Sequence, residues 1–99
     1  MPRVSLTNSR SRSRLRLAPG IELRADHASG SPLLIAAGGE VHLNAHARTI
    51  LSLCDGTRSR QQVVMDAVLG AGGAMRASDV RDFLEAAVSR GWLIDAPAA

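Results

Sequence analysis

The sequence predicts an α+β fold, a three-stranded antiparallel sheet followed by a three-helix bundle, and three observations lead there. Apolar and polar residues alternate in twos up to Leu43, the period changes to 3.6 at Asn44, and breaks rich in Gly, Ser, Asp or Pro separate the runs. With 99 residues and an apolar fraction of 45%, the chain is long enough for one core and too short for two.

Charge divides the chain before any element is assigned. Residues 1–16 hold Arg3, Arg10, Arg12, Arg14 and Arg16 without an acid, +5, whereas residues 17–99 hold seven Arg against nine Asp or Glu, −2. The Ser/Arg run over 9–16 cannot bury a face, so 1–16 is expected to be a disordered tail. The folded domain is then expected over 17–95, with 96–99 as a short C-terminal tail.

Leu17-Ala18-Pro19-Gly20 punctuates the start of order. Ile21-Glu22-Leu23-Arg24 alternates as a half-buried strand does, the Ser-, Gly- and Asp-rich residues 26–32 turn the chain, and Leu33-Leu34-Ile35 is a short apolar run. After Gly38-Gly39, Glu40-Val41-His42-Leu43 alternates again, so the three strands form a meander. Its inward set is Ile21, Leu23, Val41 and Leu43; Glu22, Arg24, Glu40 and His42 face out.

Asn44 is the natural cap of a first helix, whose Ala47, Ile50, Leu51 and Cys54 fall at i, i+3, i+4 and i+7. Asp55-Gly56 stops it. Ser59 with Gln62 makes a capping-box pattern for a second helix, with Val64, Ala67, Val68 and Ala71 on its buried stripe, and Gly70, Gly72 and Gly73 supply a loop. In the third helix Ser78 is positioned to cap, and Val80, Phe83, Leu84, Ala87 and Val88 form an amphipathic face. Asp79, Asp82 and Arg90 complement its dipole and Gly91 stops it, after which Trp92-Leu93-Ile94 returns to the core.

The Leu-Ala-Pro-Gly start, Leu33-Leu34-Ile35, a strand ending in Leu43-Asn44, Ile50-Leu51-Ser52-Leu53-Cys54-Asp55-Gly56 and the terminal Gly91-Trp92-Leu93-Ile94 together resemble the PqqD family over roughly residues 15–95. The resemblance implies a winged-helix-like module that is a peptide chaperone in pyrroloquinoline quinone (PQQ) biosynthesis. It would hold the leader of a ribosomally made precursor, PqqA or a similar peptide, and present it to a radical-SAM enzyme like PqqE. Strand addition is the expected mode, with an extended peptide pairing along Glu40, Val41, His42 and Leu43 beside a helical wall of Arg81, Leu84, Glu85 and Val88. A recognition element for a different modified peptide is the nearest alternative.

Catalysis finds few candidates, for the chain has neither Lys nor Tyr. Cys54, on a buried stripe at a helix end and beside Asp55, is poorly placed to become a thiolate, and a single cysteine makes no internal disulfide. His42 and His46 are separated by the strand-to-helix switch and have no third ligand nearby, so neither a metal nor any other cofactor is expected. Gly38-Gly39 and Gly72-Gly73 lack the Lys-Ser/Thr of a phosphate loop.

A winged-helix DNA-binding regulator shares the architecture, yet the third helix sets Arg81 and Arg90 against Asp79, Asp82 and Glu85, so no specific nucleic acid is expected. No apolar run has membrane-spanning length and no secretory signal is evident, which gives a cytoplasmic expectation without membrane contact. Open sheet edges allow either a monomer or a domain-swapped homodimer.

Overall fold

In the computed structural model, residues 13–97 are described. The meander is β2 (Glu22–Ala25), β3 (Pro32–Ala36) and β4 (Gly39–His42), in the order β2-β3-β4 and antiparallel throughout. The helices are α1 (Ala45–Leu53), α2 (Arg60–Gly70) and α3 (Ala77–Ser89). Two further strands, β1 (Ser13–Leu17) and β5 (Leu93–Pro97), pair antiparallel in a separate sheet.

β1 corrects the assignment of residues 13–16 to the tail; residues 1–12 lie outside the described residues. Leu15 is fully buried in the core, and Leu17 packs against it from the same side of the strand. The Leu15 N–H donates to the Arg58 carbonyl and its own carbonyl accepts from Gly56 N–H, at 3.0 and 2.9 Å. β1 is thus laced to β5 on one side and to the α1–α2 loop on the other. β5 likewise carries Ala96 and Pro97, which had been expected in a C-terminal tail; residues 98–99 lie outside the described residues.

The meander follows the expected faces. Register aligns Leu23, Leu34 and Val41 in one inner row, and Ile21, Leu23, Val41 and Leu43 pack on the core. Glu22, Arg24, Glu40 and His42 are exposed. Asp26 accepts from both the N–H and the hydroxyl of Ser29, closing the β2–β3 turn.

Caps define most helix ends. Asn44 accepts from the Ala47 N–H at 2.7 Å, and both halves of the Ser59–Gln62 capping box are formed. α3 departs from expectation, since it starts at Ala77 with Arg76 as its cap residue and no side-chain cap bond. Ser78 lies inside the first turn, where its hydroxyl is too far along the helix to serve the leading N–H groups. Its other end is a full Schellman stop: Gly91 at φ +80° donates to the Val88 carbonyl and Trp92 N–H donates to the Ala87 carbonyl. Leu34, Leu51, Val63, Val80, Leu84 and Leu93 are at or near zero exposure and join Leu15 in a single core. Among the described residues, no helix is long and apolar enough to cross a membrane.

Two outcomes follow. Leu15→Ala should lower the unfolding free energy by about 2–4 kcal/mol, read from urea denaturation, because it empties a filled site in the core. Hydrogen bonds from Thr57 hold the Asp55 carboxyl below its usual range, with Arg58 adding to the effect. A depressed carboxyl stabilises the fold above the ordinary carboxylate pKa and loses that contribution as acid protonates it. Asp55→Asn should therefore flatten the fall of stability below about pH 4, measured by denaturation across pH.

Candidate peptide-binding groove

Which backbone groups β4 exposes follows from one hydrogen bond. Leu43 N–H donates to the Pro32 carbonyl of β3 at 3.0 Å, and antiparallel ladders alternate inward and outward residues. Val41, two residues earlier and opposite Leu34, therefore also turns its N–H and C=O toward β3. Glu40 and His42 turn theirs away, to the side where β4 has no neighbouring strand among the described residues.

Beside that edge runs an open groove of about 260 Å³. Its strand wall is Val41, His42 and Leu43, continued by Asn44 and Ala47; its helical wall is Phe83, Ala86, Ala87 and Arg90, closed by Trp92. The volume falls below the ~300–1,000 Å³ usual for small-molecule sites, and an open trough suits an extended chain better than an enclosed substrate.

Trp92 owes its position to the helix stop. The Schellman geometry folds the chain back so that Trp92 N–H reaches the Ala87 carbonyl, and its own carbonyl accepts from Ala18 N–H at 2.9 Å, pinning it from the other side. Arg90, the cap residue of α3, lies over the Trp92 ring, 5.4 Å from its centroid.

Val41, His42 and Leu43 thus come together at the groove, with Glu40 beside them on the same strand. The expected helical wall does not. Leu84 is fully buried in the core and cannot meet a ligand, Val88 packs against the core, and Arg81 and Glu85 are exposed outside the groove. The physical reason is rotation about the helix axis. Phe83, Ala86, Ala87 and Arg90 form an i, i+3, i+4, i+7 stripe on one flank of the core-facing residues, and Arg81, Glu85 and Val88 occupy the other flank. Phe83 and Ala87 were recognised as apolar positions of this helix, but Ala86, Arg90 and Trp92 were not recognised as groove residues. The Gly91-Trp92 pair carried the available signal, because a C-terminal glycine stop returns the following apolar residue to the helix.

The other chemical candidates separate. Cys54 is buried, its Sγ–H donates to the Ile50 carbonyl at 3.3 Å, and desolvation, reinforced by Asp55, pushes the thiol up to about 12. His46 is exposed in the first turn of α1, across the Asn44 cap from the strand that bears His42. Among the described residues, no three His, Cys, Asp or Glu side chains gather as a metal site would require.

A three-stranded meander with an open edge, set against three helices with a groove beside the last, defines a small α+β module of winged-helix type. The chain belongs to the PqqD family: the profile of Coenzyme PQQ synthesis protein D (PqqD) matches residues 33–93. The PqqA binding protein of Methylococcus capsulatus (strain Bath) is 31% identical over 81 residues, covering 80% of this chain and 85% of that protein. The fold is also that of the PqqD part of Methylobacterium extorquens PqqCD, a stand-alone recognition element for ribosomally synthesised, modified peptides. That similarity has a TM-score of 0.62 at 23% identity, over 81% of this chain and 87% of the other. The heterocyclase TruD contains a similar fold, with a TM-score of 0.60 at 19% identity over 84% of this chain, which spans only 11% of that enzyme.

At pH 8 the native protein should resist iodoacetamide at Cys54 and be alkylated only in denaturant, as mass spectrometry would reveal, because the thiolate is both scarce and shielded.

Proposed function

We propose that this chain is a non-catalytic chaperone of PQQ biosynthesis that binds the leader of a PqqA-like precursor by strand addition along β4 and presents it to a PqqE-like radical-SAM enzyme. The observation that carries this reading is the side of β4 that no strand occupies among the described residues, where Glu40 and His42 turn their backbone groups outward beside a groove lined by His42 and by α3. The family and a relative that is a PqqA binding protein support the client. A buried free thiol suits a reducing compartment, so the cytoplasm is the proposed location.

Energetics assign the work to two sources. Two outward residues offer four backbone hydrogen bonds, worth ~0.5–1.5 kcal/mol each, or about 2–6 kcal/mol together. Micromolar binding needs about 8 kcal/mol beyond the cost of ordering a flexible peptide. Apolar side chains packing on Val41, Phe83 and Trp92 supply the remainder, at ~1.5–3 kcal/mol for each one fully buried. The peptide's inner-face residues, alternating along its strand, are the ones that reach this trough.

Backbone parity separates binding from folding. His42→Pro deletes an outward N–H and should weaken a synthetic PqqA peptide at least fivefold by fluorescence anisotropy, with the thermal midpoint nearly kept, since proline is tolerated at an edge. Val41→Pro deletes an N–H that β3 uses and should lower the thermal midpoint itself. In the wild type, titration with the same peptide should shift amide resonances of residues 40–43 and of Phe83, Ala86, Ala87 and Trp92. Shifts confined elsewhere would refute strand addition at this edge.

A further inference from the structure

Arg90 equips the groove with something that backbone pairing does not require. Its guanidinium lies over the Trp92 ring, 5.4 Å from the centroid, and the side chain is exposed, so its N–H donors are within reach of a planar acceptor. None of the four ion pairs among the described residues uses it: those join Arg24, Arg58 and Arg60 to Glu22, Asp55, Asp66 and Asp95. The acids of α3 itself, Asp79, Asp82 and Glu85, are absent from the groove lining. The other titratable lining residue, His42, is also basic, and the rest are apolar apart from Asn44. In a body that is −2 over residues 17–99, the groove lining beside the outer edge of β4 therefore holds Arg90 and no carboxylate, the nearest acid on that strand being the exposed Glu40.

We infer that Arg90 is a specificity-determining residue, selecting a peptide that carries an Asp or Glu spaced from an apolar anchor. This rests on the strand-addition reading. The spacing follows from geometry. Phe83 and Arg90 are two helical turns apart, roughly 10 Å at 1.5 Å per residue. An extended peptide advances ~3.3 Å per residue and presents alternate residues to one face, so the acid sits about two or four positions from the anchor. The carboxylate makes a paired hydrogen bond to the Arg90 edge while Trp92 holds the guanidinium plane, and the anchor packs between Phe83 and Val41. A Lys or Arg at the acidic position is rejected by like charge.

The test does not require the natural client. A display library of random dodecapeptides is panned on the full chain and on Arg90→Glu. The wild type should enrich one Asp or Glu at a constant offset from a large apolar residue, and Arg90→Glu should exchange that acid for Lys or Arg while keeping the apolar residue. For one enriched peptide, Arg90→Gln should weaken binding about tenfold. Replacing the peptide's acid by its amide should cost the wild type the same factor and cost Arg90→Gln nothing more. Arg90→Lys should restore part of the loss. An enriched pool without an acid, an acid preference unchanged in Arg90→Glu, or independent losses in the double substitution would each overturn the inference. Should Arg90→Glu not fold, the Arg90→Gln cycle decides alone. Enriched peptides that tolerate backbone N-methylation throughout and bind His42→Pro as tightly as the wild type would instead refute strand addition, a result distinct from any loss of coupling at Arg90.

Discussion

The inner row of Leu23, Leu34 and Val41 fastens the sheet to the helices, and because β4 ends that row, its outward backbone is answered by no strand among the described residues. Leu34 is fully buried and Val41 packs on the same core, so the strand cannot roll over to hide its edge without surrendering apolar burial. Open edges invite self-association, and proteins that retain one usually keep it short and polar. β4 has four residues, with exposed Glu40 and His42 among them. The same features keep the edge available to a chain that can also satisfy the adjoining trough.

That trough depends on how α3 ends. A helix running past Arg90 would carry residue 92 about 200° around the axis from residue 90. The left-handed glycine stop instead turns the chain back so that Trp92 N–H meets the Ala87 carbonyl, and its indole becomes both a wall of the groove and a platform for Arg90. Local backbone chemistry at Gly91 therefore shapes a surface whose opposite wall comes from a strand some fifty positions earlier in the sequence.

What could be read from the sequence was local. Asn44, the Ser59–Gln62 box and the Gly91 stop are each recognisable within four residues, and all were found where the pattern put them. The meander was legible because its turns are short. β1 was hidden because Ser-Arg-Leu-Arg-Leu has the composition of a tail, and what makes it a strand is β5, nearly eighty residues downstream, together with the loop around Gly56. The helical wall expected from the sequence differs from the stripe that lines the groove for a related reason. Periodicity locates the stripe of α3 that faces the core, but which flank of that stripe borders β4 is decided by the angle at which helix and sheet cross, a property of the assembled layers.

The clasp of β1 on β5 brings Ser13 opposite Pro97 and Leu17 opposite Leu93, so the clasp meets the groove at its Leu93 end and pairs Ser13 with Pro97 at the other. Four strand steps, about 13 Å, separate the two. Ser13 and Pro97 thus stand side by side at the end of the clasp farther from the groove. A module built this way is suited to transplantation into a longer protein, as the kindred fold inside a heterocyclase illustrates.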